Sequence, residues 1–394
     1  MVPKLRVKEF CGEWEEKRLG DIAEIYKGNV LSKSDLRDEG HPCILYGELY
    51  TKYGEIIEKV YSKTNRADKN LFIGKINDVL IPSSGETAID ISTASCLKCD
   101  NVYIGGDLNV IRCNNVNGSF LSYTLNHKQR NSIAKFTQGV SVVHLYGDSL
   151  RKLKINIPSL PEQTKIAHFL CTVDDKIQNQ QDKTAHLENI KKGFMQKIFS
   201  RKVRFKDDGG EEFPEWEDNI LKNYIEIITG YPFDSEKFIE ENNNNPIIRI
   251  RDLQDNKISL FTTENYDLKY KVYKGDILIG MDGDFYITMW KGIEVGLNQR
   301  IMKIRPKKGL IKNNFLYYLL IPLIKHINDI TPFTTVKHLS SKDILNLKVK
   351  LPCLKEQQKI ADFLSSFDEK IYTEKEVLEH LKQLKKGLLQ QMFV

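Results

Sequence analysis

An internal repeat is the feature that most constrains how this chain can fold. The segment Ile157–Ile177 recurs as Leu351–Ile371, 194 positions further along a chain of 394 residues. The match resumes where Leu187–Phe199 corresponds to Leu381–Phe393. A repeat at half the chain length predicts two copies of one unit rather than one long domain.

Each repeated segment has the periodicity of a long amphipathic helix. Apolar residues recur at steps of four, three and four, which is typical of a coiled-coil seam. These positions are Ile166, Leu170, Val173 and Ile177, and then Ile360, Leu364, Phe367 and Ile371. We therefore predict spacer helices in residues 158–200 and 352–394. We expect them to pack antiparallel, because the intervening domain must return the chain.

The two regions before these helices have the composition of mixed α/β domains. Residues 1–157 form the first predicted domain and residues 215–351 the second, with a polar linker at 201–214. Short apolar runs bounded by turn residues predict strands. The runs are Ile22–Tyr26, Val79–Ile81, Val102–Ile104, Asn109–Cys113, Ile225–Ile228, Ile247–Ile250, Ile277–Ile279 and Ile301–Ile304. The predicted fold class is α+β, with two domains, two long antiparallel helices and a pseudo-twofold internal repeat.

Composition limits the classes of protein that fit. The longest apolar run, Phe315–Ile324, is about half the roughly 20 residues that span a bilayer. We therefore expect a cytoplasmic protein that does not contact a membrane. The seven cysteines are scattered, which disfavours a disulfide framework. Cys96, Cys99, Cys113 and His127 have loose spacing for zinc, so thiols without a metal are the favoured interpretation.

Sequence signatures of catalysis are missing. The chain has no Asn-Pro-Pro-Tyr/Phe tetrapeptide, no GxxxxGK[ST] phosphate loop and no GxGxxG loop. Asp282 and Asp284 flank a glycine, which more often marks a turn than a metal site. His144 and His338 fall at equivalent places without a nearby Ser or Cys pattern typical of catalysis. We predict a chain without catalytic, cofactor-binding or metal-binding residues.

The doubled Pro-x-Leu-x-Glu-Gln motif, in Pro158–Ala167 and Pro352–Ala361, resembles the specificity subunit of type I restriction–modification systems. The resemblance covers essentially the whole chain. It implies two target-recognition domains that read the halves of a split, asymmetric double-stranded DNA target. It also implies helices that dock two methyltransferase subunits, which bind S-adenosylmethionine, and restriction subunits, which use ATP and Mg. The docking residues implied are Glu162, Gln163, Ile166, Leu170, Ile177, Glu356, Gln357, Ile360, Leu364 and Ile371.

DNA readers need polar or charged side chains on loops and strands that enter a groove. The candidates are Lys63, Arg66, Lys69, Ser83, Ser84, Arg249, Arg251, Asp282, Lys291 and Lys337. The net charge of +6 is too modest to support DNA binding by itself. Two alternatives stay open. One is a coiled-coil DNA-binding scaffold or repressor without restriction partners, and the other is a self-contained nuclease or methyltransferase.

Overall fold

The chain contains two long helices and divides into two units. The first long helix spans Leu160–Phe199 and the second long helix spans Leu354–Met392. The computed structural model describes residues 2–67, 70–139, 142–240, 245–255, 258–332 and 337–393. By its internal contacts the chain divides into a first unit, residues 1–182 with 375–394, and a second unit, residues 183–374. Each unit thus contains one predicted domain and a part of both long helices.

The first unit is built on two five-stranded sheets. In spatial order, one of these sheets contains the strands Ala23–Lys27, Leu108–Cys113, Asp78–Pro82, Ser95–Leu97 and Ile56–Ile57. The other contains Leu36–Arg37, Ser62–Thr64, His41–Ile44, Val102–Ile104 and Phe72–Gly74. Two-stranded ribbons pair Glu15–Arg18 with Lys154–Ile157 and Ser84–Gly85 with Val143–His144. Its shorter helices are Leu19–Ile22, Glu48–Thr51, Gly118–His127, Arg130–Lys135 and Gly147–Arg151.

The second unit repeats this plan. Its four-stranded sheet contains Ile225–Thr229, Ile301–Pro306, Ile277–Gly280 and Ile287–Met289. Its five-stranded sheet contains Phe238–Ile239, Phe261–Thr262, Asn245–Ile248, Val295–Leu297 and Lys271–Val272. A ribbon pairs Glu217–Ile220 with Lys348–Leu351. The shorter helices are Asp252–Asp255, Asn313–Ile330 and Ser341–Leu345.

The predicted antiparallel arrangement of the long helices is visible inside each unit. In the first unit, Ile166 and Leu170 near the start of the first long helix share an apolar cluster with Met392 at the end of the second. In the second unit, the ring of Phe194 lies 5.1 Å from that of Phe363, near the start of the second long helix. None of the helices in the described parts of the chain has the length and apolar character needed to span a bilayer.

The apolar seam does more than join two helices. Ile166 and Leu170 also pack against Trp14, Phe120 and Tyr123 of the first domain. Their counterparts Ile360 and Leu364 belong to the main core of the second unit, together with Trp216 and Phe315. A pattern of apolar spacing identifies the buried face of a helix but not what covers it. The prediction that the two long helices run antiparallel is therefore confirmed, but a domain covers a large part of the apolar seam of each helix.

Two matched glycines allow a close backbone approach at the edge of each domain. A Cβ atom at Gly28 would lie 2.1 Å from the carbonyl oxygen of Gly105, and one at Gly230 would lie 1.9 Å from that of Asn298. Both obstacles are backbone atoms, which cannot move aside as a flexible side chain can.

We expect Gly230→Ala to lower the free energy of unfolding by about 2 kcal/mol, because the overpacked loop must shift. Urea unfolding measures this change. Gly387→Ala is the matched control, since a Cβ there meets nothing within 4 Å inside the second long helix. That control should raise stability by up to about 1 kcal/mol. Equal effects of the two substitutions would contradict the proposed close approach.

Candidate nucleic-acid interface

A loop that follows a buried central strand has the same backbone pattern in both domains. In the first domain, the amide of Ser83 donates to the Asp107 carbonyl at 2.8 Å, and the amide of Leu145 donates to the Ser83 carbonyl at 2.9 Å. In the second domain, Met281 donates to Arg300 at 2.9 Å and Leu339 donates to Met281 at 2.8 Å. We call Ser83–Ser84 and Met281–Asp282, which follow the strands Asp78–Pro82 and Ile277–Gly280, the reading loops. They make Ser83 equivalent to Met281 and Asp107 equivalent to Arg300.

The strand partner of each reading loop is a histidine. Ser84 pairs with His144 in an antiparallel ribbon, and Asp282 pairs with His338 in an antiparallel bridge. This pairing explains why the two histidines fall at equivalent places in the repeat. The backbone frame is thus shared, while the side chains that it presents differ between domains.

The reading loop of the first domain borders an open cavity of about 310 Å³. The polar side chains that line it include Lys27, Ser83, Asp107, Asn109, His144, Tyr146, Asp148 and Arg151. Ser83 Oγ is buried and has no hydrogen-bond partner among the described residues. His144 and Tyr146 are exposed beside it, with ring centroids 6.3 Å apart. The cavity offers both donors and acceptors at the surface, as contact with base edges or phosphates requires.

The reading loop of the second domain holds a charged cluster. Asp282 Oδ1 lies 2.7 Å from Nδ1 of His338, and Asp282 Oδ2 accepts from Nη1 of Arg300. Burial alone would raise the pKa of Asp282, but the hydrogen bonds from His338 and Arg300 outweigh burial and lower that pKa below its usual range. Asp282 is therefore an ionised carboxylate that orients two exposed side chains. Among the described residues no cluster of three or more metal-ligating side chains occurs.

The other predicted DNA-contact residues of the first domain differ in exposure. Lys63 is exposed on the strand Ser62–Thr64. Arg66 is half-buried, and its Nη1 donates to the Val30 carbonyl at 2.5 Å and to Asp35 Oδ2 at 3.1 Å. Lys69 lies outside the described residues. Lys63 is thus free to meet DNA, whereas Arg66 already has partners within the domain.

The remaining DNA-contact candidates of the second domain also differ in exposure. Arg249 is bound by Asp252 at 3.2 Å and by Ser259 at 2.5 Å, while the side chain of Arg251 is 70% exposed. Lys291 is exposed, with Nζ 5.7 Å from the centre of the Tyr372 ring. Lys337 is only 6% exposed, and its Nζ donates to the Asn328 carbonyl at 2.7 Å. Contact of Lys337 with DNA stays a prediction, and it would require the ammonium to leave this hydrogen bond.

Arg300 was not among the DNA-contact residues predicted from the sequence. It lies in the turn between two buried strands, and its side chain is 63% exposed. The available signal was the string Leu297-Asn298-Gln299-Arg300, which ends one strand and precedes the next. Only the fold reveals that this turn lies against Asp282.

The Glu-Gln pair of the repeated motif joins each long helix to its preceding domain. Glu162 accepts from Arg6 Nε at 2.7 Å and from Trp14 Nε1 at 3.3 Å. Glu356 accepts from Arg204 Nη2 at 3.0 Å and from Trp216 Nε1 at 3.1 Å. Each junction therefore places one carboxylate between a tryptophan and an arginine.

The glutamines next to these two glutamates also make equivalent hydrogen bonds in the two domains. Gln163 accepts from the amide of Asn117 and donates to the Pro158 carbonyl, both at 2.9 Å. Gln357 makes the same two bonds with Lys312 and Pro352, again at 2.9 Å. Farther along each helix a domain tyrosine donates to a helix aspartate, Tyr123 to Asp174 at 2.6 Å and Tyr318 to Asp368 at 2.5 Å.

These contacts change the interpretation of the implied docking residues. Nine of the ten are buried within the chain, and Ile177 is partly exposed. The buried nine are Glu162, Gln163, Ile166, Leu170, Glu356, Gln357, Ile360, Leu364 and Ile371. A buried side chain does not contact another subunit while this packing persists, so docking through these nine stays a prediction that would require the packing to change. Exposed apolar side chains on the long helices, such as Phe169, Val377 and Leu384, are better placed for such contacts.

Comparison with known proteins gives consistent matches along the chain. A family model described as a type I restriction modification DNA specificity domain matches residues 12–189 and 214–383. The type I restriction enzyme MjaVIII specificity subunit of Methanocaldococcus jannaschii is 28% identical over 411 aligned residues, covering 98% of this chain and 92% of that protein. The EcoBI specificity subunit of Escherichia coli is 34% identical over 170 residues, covering 43% of this chain and 36% of that protein.

Solved structures show a similar fold. The crystal structure of the type I restriction–modification S subunit from M. genitalium has a TM-score of 0.67 at 19% identity, covering 100% of this chain and 99% of that chain. A chain from a structural study of complex assembly and conformational transition of the type I R-M system has a TM-score of 0.57 at 18% identity, covering 97% of both chains.

Proposed function

This chain belongs to the family of type I restriction–modification DNA specificity subunits, and we propose that it reads a two-part, asymmetric DNA target, one half with each domain. The observation that carries the proposal is the pair of reading loops, in which one backbone frame presents different side chains. Ser84 and Asp107 in the first domain stand where Asp282 and Arg300 stand in the second. Because base edges are distinguished by their donor and acceptor patterns, different side chains select different half-sites.

We further propose that the chain selects the site without catalysing a reaction. Two methyltransferase subunits would bind S-adenosylmethionine and modify the DNA, and restriction subunits would use ATP and Mg. Exposed faces of the long helices, including Phe169, Val377 and Leu384, would dock these partners. Exposed apolar side chains on a polar helix are suited to burial against another protein.

Selection from a pool of random DNA duplexes tests this function. The chain, assembled with its neighbouring methyltransferase subunit, should enrich duplexes with two short, unlike motifs separated by an unread gap. The same methyltransferase without the chain should enrich no such motif. Binding that falls with salt but enriches no sequence would instead support a scaffold or repressor.

A further inference from the structure

Arg300 is an exposed arginine whose guanidinium is hydrogen-bonded within its own domain. Its side chain is 63% exposed, yet Nη1 donates to Asp282 Oδ2. A free arginine side chain carries about 2 kcal/mol of rotamer entropy, which a ligand would have to overcome in fixing it. Anchoring at one nitrogen removes part of that cost and directs the guanidinium outward.

Asp282 is held on its other side as well. Its Oδ1 lies 2.7 Å from His338 Nδ1, and the backbones of Asp282 and His338 are bridged. The Asp282 side chain is 16% exposed, so it is well positioned to orient Arg300 but poorly placed to meet a ligand itself. The outward-facing group of this cluster is therefore the guanidinium.

The bond to Asp282 leaves one edge of the guanidinium available. Nε and Nη2 lie on the edge away from Nη1, and neither donates to any described residue. Two parallel N–H donors match the O6 and N7 acceptors that guanine presents in the major groove. Asp282 neutralises the charge of Arg300, which weakens attraction to a phosphate but does not affect the match to a guanine edge.

We infer that Arg300, oriented by Asp282, reads a guanine in the half-site of the second domain. The inference rests on the proposed function. The equivalent position of the first domain is Asp107, a carboxyl side chain that has no N–H donors to match a guanine edge. The two half-sites accordingly differ at the base pair that this position meets.

The test compares three variants in the duplex selection, each assembled with the methyltransferase subunit. Arg300→Lys retains the positive charge but cannot form the two-point contact of the guanidinium. Arg300→Gln removes both the charge and that contact. Arg305→Gln is the matched control, because it makes the same change five residues further along, within the strand Ile301–Pro306. Urea unfolding of each variant checks that it folds.

We expect the wild type and Arg305→Gln to select guanine at one position of one half-site. Both Arg300 variants should lose that preference by roughly ten- to hundredfold, with the other half-site unchanged. Retained guanine preference in Arg300→Lys, an equal loss of affinity for all sequences in Arg300→Gln, or two half-sites without guanine would each overturn the inference. A wild type that selects no gapped motif would instead overturn the proposed function.

Discussion

Replacing Glu356 by alanine is expected to lower the free energy of unfolding of the second unit by about 3 kcal/mol. The Glu356 side chain is fully buried between Arg204 and Trp216, and both donate to it. Removing one partner of a buried ion pair typically costs about 3–5 kcal/mol, because the other charge is left without compensation. Arg204 retains 19% exposure, which places the expected loss at the lower end.

Glu215 provides a control on the same arginine. It accepts from Arg204 Nη1 at 2.8 Å, but its side chain is 84% exposed. An exposed pair of this kind contributes at most about 1 kcal/mol, so Glu215→Ala should have a small effect. Hydrogen exchange of amides in residues 217–351 measures both variants. If the two substitutions weaken protection equally, the buried junction is not what holds this domain to the second long helix.

Replacing Lys385 by methionine is expected to destabilise the first unit by about 3 kcal/mol at neutral pH. Lys385 Nζ lies 2.6 Å from Asp174 Oδ1 and 3.1 Å from Glu55 Oε2, and its side chain is 17% exposed. Methionine preserves the apolar stem but leaves two partly buried carboxylates, 16% and 28% exposed, without their shared cation. Lys382→Met is the control three residues earlier, because Lys382 is 43% exposed and pairs with the exposed Glu379.

The effect of Lys385→Met should depend on pH in a defined direction. Burial alone would raise the pKa of Glu55, but the hydrogen bond with His127 and the charge of Lys385 outweigh burial and lower it to about 2. This stabilisation is complete above the unfolded pKa of about 4.3 and is lost as the pH falls towards 2. Burial raises the pKa of Asp174 despite the charge of Lys385. Once Asp174 is protonated it no longer needs a cation, so the loss of stability in Lys385→Met is smallest there.

Both carboxylates therefore make the difference between wild type and Lys385→Met largest at neutral pH. Urea unfolding at several pH values between about 7 and 2.5 measures this difference. It should shrink as the pH falls below about 4.5. A difference that is constant with pH, or that grows in acid, would show that Lys385 acts through packing rather than charge.

Much of the scaffold could be predicted from the sequence, because its signals are local. The predicted strand Asn109–Cys113 is observed as Leu108–Cys113, and the predicted strand Ile277–Ile279 as Ile277–Gly280. Both runs are largely apolar, and each is followed by a turn-forming residue, Asn114 or Gly280. The long helices were predictable for the same reason.

The roles of individual side chains were harder to predict, because they depend on contacts distant in sequence. Glu162 and Gln163 stand out in the repeat, but a repeat cannot reveal whether such residues face a partner or their own domain. The missed signal was Trp14, whose indole N–H needs an acceptor when buried. Lys337 and Arg300 are alike in charge, and only loop geometry makes one buried and the other exposed.

The most direct test of the central claim is single-molecule mapping of methylated adenines in cells that express the neighbouring methyltransferase subunit with or without this chain. The two unlike reading loops predict methylation at a gapped motif with unlike halves, present only when the chain is expressed. Methylation that is absent or unchanged when the chain is added, or a motif whose two halves are the same, would contradict this account.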